Sequence, residues 1–334
     1  MSFQKIGIVG AGSWGTALGF VLSGHGIPIA LWGHNPRHVE LLRTTRKNET
    51  YLPGVELPPD IAPTGDLATL ADADLVLFVT PSKAIRDVAQ QFAALRPRAD
   101  AILLSCTKGL ERGSGLRMSA ILREIFPGNP VAVLSGPGHA EEVVQRMPTA
   151  VVLGCGDASL ARKLQLVFST PFFRGYTSTD VAGIELGGAL KNIIAIAVGI
   201  SDGLGLGDNS KAALVTRALA ELVRLGTALG GRRETFQGLS GIGDLIVTCY
   251  SRHSRNRSVG EHLGRGETIG EITRGMTMVA EGVPTTLSAS ECARKLGIDT
   301  PIIEQVRAIL YDKKPVREAM LELMSRDPRP EEDL

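Results

Sequence analysis

Cysteine is scarce in this chain of 334 residues. There are four, Cys106, Cys155, Cys249 and Cys292, with no C-x-x-C pair and no Cys/His set at zinc spacing. That excludes a zinc finger and a disulfide framework, and it fits small buried thiols in a reducing, cytoplasmic setting. No metal site is expected. An excess of one charge is also missing: 36 Lys and Arg face 35 Asp and Glu, for a net +1. Nothing here would neutralise phosphates along a nucleic acid, although a local basic site for one small anion remains open. Long apolar runs are absent too. The longest, Ile193 to Val198, is far short of the ~20 residues that span a bilayer. The apolar opening from Met1 to Gly26 is broken by Gly7, Gly10, Gly12, Gly15 and Gly19, which argues against a signal peptide. No repeat recurs at a fixed period. The expectations are a cytoplasmic protein with no membrane insertion and no nucleic-acid partner.

What is abundant is glycine: 39 residues, about 12% against the usual ~7%. The glycines gather in turns and at helix starts, as tight backbone approaches in nucleotide-binding α/β folds require. Lys5–Val9, Ile27–Trp32, Leu75–Thr80, Ala101–Ser105, Val131–Leu134 and Thr149–Leu153 are short apolar runs that read as buried strands. Helical spacing over Ser13–Ser23 and Lys83–Leu95 alternates with them, which predicts a doubly wound parallel sheet of Rossmann type. After about Thr179 strand-like runs become rare. Ile184–Ile200 and Ser210–Ala228 read as long helices, and Pro284–Leu296, Pro301–Tyr311 and Pro315–Met324 each open with a proline suited to a first helical turn. The tail from Arg326 is charged and expected to fray. The length fits two domains, expected as a dinucleotide-binding α/β domain over 1–180 and a mostly α-helical substrate domain over 181–334.

Gly10-Ala11-Gly12-Ser13-Trp14-Gly15 matches G-x-G-x-x-G between a predicted strand and a predicted helix, the context that the motif needs. Gly10 permits the turn, Gly12 admits a pyrophosphate to the backbone, and Gly15 lets the helix pack on the sheet. The helix N-terminus then favours the anion. After the second strand, where a strict NAD site carries Asp or Glu, the chain reads Gly33, His34, Asn35, Pro36, Arg37. His34 and Arg37 are open both to a solvated-loop reading and to holding a 2′-phosphate, so NAD or NADP is expected as cofactor.

Four other segments carry chemistry. Thr107-Lys108-Gly109 and Gly136-Pro137-Gly138-His139-Ala140 follow strand ends, where ligands of α/β sheets sit. Lys191 lies inside an apolar helix, where it either snorkels to solvent or is desolvated into an acid/base. Gly243-Asp244 and Ser254-Arg255-Asn256-Arg257 form a polar, basic stretch, in which Arg255 with Ser254 and Asn256 is either an exposed charged loop or a phosphate clamp.

The stretches GAGSWG, TKG, SGP-x-HA, ELGGALKNIIAIA, GIGDLIVTC, SRNR and VAEGV occur in order from near residue 5 to about 285. Together they make the chain resemble bacterial NAD(P)-dependent glycerol-3-phosphate dehydrogenase. The resemblance implies reversible hydride transfer between NAD(P)H and dihydroxyacetone phosphate, giving sn-glycerol 3-phosphate for phospholipid synthesis. It also implies that Lys191 is the general acid/base, that Asp244 orients it, and that Lys108, Gly136, Gly138, Ser254, Arg255 and Asn256 meet the substrate. Ser13, Trp14, His34, Lys108, Ala140, Arg255, Val279 and Glu281 fall where the family touches the dinucleotide. One departure is Gly138, where the family usually has Ser or Thr. Losing that hydroxyl is expected to weaken substrate binding by about 1 kcal/mol. The sequence sets no oligomeric state, and a homodimer is carried as an expectation.

Overall fold

A computed structural model describes residues 3–276, 278–328 and 330–331. The chain divides into two compact units, Met1–Thr107 with Met118–Val181, and Lys108–Arg117 with Ala182–Leu334. The ten residues after Thr107 therefore leave the first unit and belong to the second.

The first unit is built in the order β1 (Ile6–Val9), α1 (Ser13–Leu22), β2 (Ile29–Trp32), α2 (Pro36–Thr45), β3 (Ile61–Thr64), β4 (Leu75–Phe78), α3 (Ile85–Ala94), β5 (Ile102–Ser105), α4 (Met118–Ile125), β6 (Val131–Ser135), α5 (Ala140–Val144), β7 (Thr149–Gly154), α6 (Ala158–Phe168) and β8 (Phe173–Ser178). The strands form one sheet in the order β3-β2-β1-β4-β5-β6-β7-β8. Every residue of β1, β2, β4, β5 and β6 is buried, as expected of strands covered on both faces by crossover helices. The order reverses between β1 and β4, so the ligand crevice of this fold lies off their carboxyl ends.

The doubly wound sheet is mostly parallel, with one departure. The sheet is not parallel throughout: β6 and β7 pair antiparallel, Leu134 opposite Leu153, while the other neighbours are parallel. The connection carries only the five-residue α5. Such a helix rises about 7.5 Å and does not carry the chain back along the sheet, so β7 starts where β6 ends. The strands β3 and β8 and the helices α2, α4 and α6 extend the sequence-based outline.

The second unit, apart from the segment from Lys108 to Arg117, is helical: α7 (Val181–Gly203), α8 (Asp208–Ala228), α9 (Arg233–Phe236), a π turn over Leu239–Gly243, α10 (Asp244–Tyr250), α11 (Arg255–Gly264), α12 (Ile269–Arg274), α13 (Gly282–Leu296), α14 (Pro301–Asp312) and α15 (Val316–Met324). Pro284 lies in the first turn of α13, Pro301 opens α14 and Pro315 precedes α15. The helix α7 is longer at both ends than its apolar run implied. By length and composition it could cross a membrane, yet nearly all of it is buried as the core helix of this unit.

Glycines set how closely the helices approach α7. A Cβ on Gly199 would lie 2.0 Å from the Arg257 carbonyl oxygen, and one on Gly260 would lie 2.0 Å from that of Ile196. Gly203 and Gly264 meet the same way one turn on. The α7 and α11 backbones therefore touch, a contact that any side chain at these four positions would force apart.

Candidate active site

In the first unit the glycine loop has the geometry that its three glycines imply. Gly10 sits at φ +129°, and a Cβ there would come within 2.7 Å of the Val79 carbonyl oxygen after β4. A Cβ on Gly15 would lie 1.9 Å from the Gly10 oxygen, so only glycine lets α1 begin this close to β1. Gly12 is different: nothing lies within 4 Å of where its Cβ would be, and its backbone is extended. The first and third glycines are fixed by packing, and the second faces open space, which fits a diphosphate laid against the helix N-terminus.

Around this loop, Ser13 is buried at the start of α1 and His34 is exposed beyond β2. Asn35 caps α2, its side chain accepting from the Arg37 and His38 amides. Gly136 leaves β6 at φ +129°, and Ala140 begins α5. Gly138 backs onto Trp14: a Cβ there would lie 2.7 Å from the indole edge. The space beside Gly138 is thus filled by a ring, which no sequence motif announces.

In the second unit the chemistry centres on one carboxylate. Asp244 is 1% exposed and opens α10, directly after the π turn. Its Oδ2 accepts from Lys108 Nζ at 2.6 Å, and its Oδ1 accepts from Lys191 Nζ. Lys191 does not snorkel. It is 5% exposed, and its Nζ also donates to Thr248 Oγ1 at 2.6 Å. Thr248, one turn after Asp244, in turn donates to the Asp244 carbonyl oxygen. Burial pushes the Lys191 ammonium down to about 7 from its ordinary 10.5; Asp244 opposes that fall, and the nearby Lys108 charge adds to it. Thr248 was missed because a threonine four residues after an aspartate is ordinary in sequence; only the helix brings its hydroxyl to the lysine.

The remaining candidates lie along α11. Ser254 caps it, accepting from the Arg257 amide. Arg255 is exposed and donates to the Val279 carbonyl oxygen at 3.0 Å, so two residues assigned to one ligand meet. Asn256 is buried: its Nδ2 donates to Asn192 Oδ1 at 3.0 Å and its Oδ1 accepts from the Gly282 amide at 2.8 Å. That network ties α7, α11 and the start of α13 together beside Glu281. Among the described residues no group of three or more His, Cys, Asp or Glu has metal-binding geometry.

A glycine loop of this shape takes a dinucleotide, and a desolvated lysine on a carboxylate suits interconversion of a carbonyl and an alcohol. The class so defined is an NAD(P)-linked dehydrogenase. Comparison with known proteins narrows it. Residues 5–161 match the family described as NAD-dependent glycerol-3-phosphate dehydrogenase N-terminus, and residues 180–321 match its C-terminus. The chain is 46% identical over 330 residues to the glycerol-3-phosphate dehydrogenase [NAD(P)+] of Prosthecochloris aestuarii, covering 98% of this chain and 99% of that one. It is 48% identical over 334 residues to that of Syntrophotalea carbinolica, with 99% and 100% covered. The crystal structure of glycerol-3-phosphate dehydrogenase from Coxiella burnetii superposes with a TM-score of 0.93 at 38% identity, covering 97% of this chain and 99% of that one. The chain belongs to the NAD-dependent glycerol-3-phosphate dehydrogenase family.

Proposed function

We propose that this protein catalyses the reversible, NAD(P)-dependent reduction of dihydroxyacetone phosphate to sn-glycerol 3-phosphate, the precursor supplied to phospholipid synthesis. Family membership over nearly the whole chain supports the substrate. The observation that carries the chemistry is Lys191, buried and bound to Asp244. When bound, the dinucleotide supplies the hydride to C2 or takes it back. Gly10, Gly12 and Gly15 shape the loop for its diphosphate, and the lack of a carboxylate after β2 leaves both NAD and NADP acceptable.

Lys191 is the general acid/base. Two of its N–H groups are engaged by Asp244 and Thr248, and the third is the one that a substrate oxygen would take. With an ammonium near 7, the residue gives a proton to the C2 oxygen in reduction and, when neutral, removes the hydroxyl proton in oxidation. Asp244 orients it, and Lys108, on the other carboxylate oxygen, adds a second positive charge for the substrate. The phosphate suits Arg255 at the N-terminus of α11, with Ser254 and Asn256 on either side in the chain. The division of labour follows a dinucleotide domain over 1–180, less the Lys108–Arg117 segment, and a catalytic domain over 181–334 that this segment joins. The four cysteines are free thiols, in keeping with a cytoplasmic enzyme, and a homodimer without nucleic-acid partner or membrane insertion completes the reading.

The test is absorbance at the reduced-nicotinamide band with purified protein and dihydroxyacetone phosphate, NADH and NADPH in parallel. Oxidation of either is expected, and Lys191→Ala should lower kcat about 10²-fold or more while nucleotide binding persists. Folded, nucleotide-binding protein that oxidises neither would overturn the proposal.

A further inference from the structure

The carbonyl of Ala11, in the middle of the glycine loop, is held by two side chains from outside the motif. His38 Nε2 lies 3.2 Å from it and Asn48 Nδ2 3.1 Å from it. Neither is a surface accident. Asn48 is 0% exposed, and its Nδ2 also donates to Thr16 Oγ1 at 2.7 Å, one turn into α1. His38 is buried in the first turn of α2, with the Tyr51 ring edge-on at 4.8 Å. To meet a carbonyl, the histidine must carry its proton on Nε2. Its Nδ1 meets no partner among the described residues. Burial, with the nearby His34, lowers its pKa and favours the neutral ring, while the bond to Ala11 opposes this.

The direction of this grip matters. Among the described residues no peptide bond is cis. In a trans peptide the carbonyl and the following N–H point opposite ways. Holding the Ala11 oxygen toward His38 and Asn48 therefore turns the Gly12 N–H away from them, on the residue that faces open space. The flipped orientation of this peptide would present an oxygen, which repels a phosphate, where a donor is needed.

We infer that His38 and Asn48 are positioning residues for the cofactor: they lock the Ala11–Gly12 peptide in the orientation that offers an N–H to the dinucleotide's diphosphate. This rests on the reading of the glycine loop as the diphosphate site. Because both forms of the cofactor share the diphosphate, the clamp acts on NADH and NADPH alike. A residue that recognised the 2′-phosphate would instead change their ratio.

The experiment is steady-state kinetics on the full-length enzyme with His38→Ala, His38→Gln and Asn48→Ala, and with Gly12→Val as a control. Gly12 has extended backbone and no neighbour at its Cβ, so a valine there fits the fold and obstructs only the ligand. His38→Ala is expected to raise the KM of NADH and of NADPH by the same factor, about tenfold for one lost hydrogen bond. The kcat and the KM for dihydroxyacetone phosphate should stay within about twofold. His38→Gln, whose amide can donate to the same oxygen, is expected to recover most of the loss. Unchanged nucleotide KM values in His38→Ala, a rise for NADPH alone, or a fall in kcat at saturating cofactor would overturn the inference. If Gly12→Val abolishes nucleotide binding while His38→Ala is silent, the clamp alone is wrong. If Gly12→Val is silent as well, the loop reading falls with it. Asn48→Ala should repeat the His38→Ala pattern; should it fail to fold, the histidine variants decide.

Discussion

Gly187 of α7 lies against the Ser240 carbonyl of the π turn, one helical turn before Lys191 meets Asp244. A Cβ at Gly187 would stand 2.5 Å from that oxygen. Four residues on in both segments, the lysine reaches the carboxylate. The contact between two backbones thus sets the approach of Lys191 to Asp244. Gly187→Ala is expected to push α7 off the π turn, lowering stability by roughly 1–3 kcal/mol as overpacking does. It should also reduce kcat more than tenfold, with the nucleotide KM unchanged. Thermal unfolding and steady-state kinetics on the same preparation check this, and normal turnover in the variant would refute the alignment argument.

The shared carboxylate predicts opposite pH profiles for the two directions. With Lys191 as the proposed general acid/base, reduction would use its protonated form, so its kcat should fall as pH rises through about 7, and oxidation should rise over the same range. Lys108→Met removes a charge that lowers the Lys191 pKa, so its midpoint should move up; Asp244→Asn should move it down. Stability follows the same residue. Between about 7 and 10.5 the folded lysine holds fewer protons than the unfolded one, so its contribution to stability grows with pH across that window. Below pH 7 the cost of burying the charge is fully present. Kinetic pH profiles of the two variants, shifted in opposite senses, are the decisive observation.

Gly138 makes a prediction against intuition. Adding a hydroxyl with Gly138→Ser should bring no gain in affinity for dihydroxyacetone phosphate, because the new Cβ meets the Trp14 ring at 2.7 Å. The nucleotide KM is expected to rise as the ring moves, Trp14 being next to Ser13 in the glycine loop. Pairing the change with Trp14→Phe, which shortens the ring, should relieve it. A lower substrate KM in the single variant would show that the indole moves without cost.

Asn256 is committed at both ends of its amide. Asn256→Ala leaves the Gly282 amide and the Asn192 oxygen without their partner, at about 1–3 kcal/mol for a buried polar group. Asn256→Asp keeps the acceptor for Gly282 and loses the donor to Asn192, so it should be intermediate. The substrate KM is expected to rise in both through the neighbouring Arg255. Denaturant unfolding with parallel kinetics would separate the two effects.

The parts of the fold legible in sequence are those where one physical cause dominates. The strands β1, β4, β5 and β6 are covered on both faces, and each leaves a continuous apolar run. The outer strands do not. The strand β3 contains Pro63, tolerable because it pairs on one side with β2 alone, and β8 reads FRGYTS with alternating exposure. The helix α2 is short of apolar residues, and the Asn35-Pro36 pair that starts it is its one clear signal. At the candidate site, Lys191 is legible as a charge inside an apolar helix, whereas Asp244 is marked only by the family resemblance. Thr248, Asn192, Gly187, His38 and Asn48 are not legible, since each matters through a partner between 27 and 64 positions away.

The excursion of Lys108–Arg117 into the second unit bears on how the chain is made. Lys108 leaves the ribosome 136 residues before Asp244, its carboxylate partner. At ~5–20 residues per second, that is a wait of roughly 7–27 s. Through that interval the strands on either side of the segment can already be pairing, while the ten residues themselves have no helices to fold against. Leu110 and the Lys108 amine have no core to join until α7 and α10 are made, so the Lys108–Asp244 ion pair closes only when most of the protein has been synthesised.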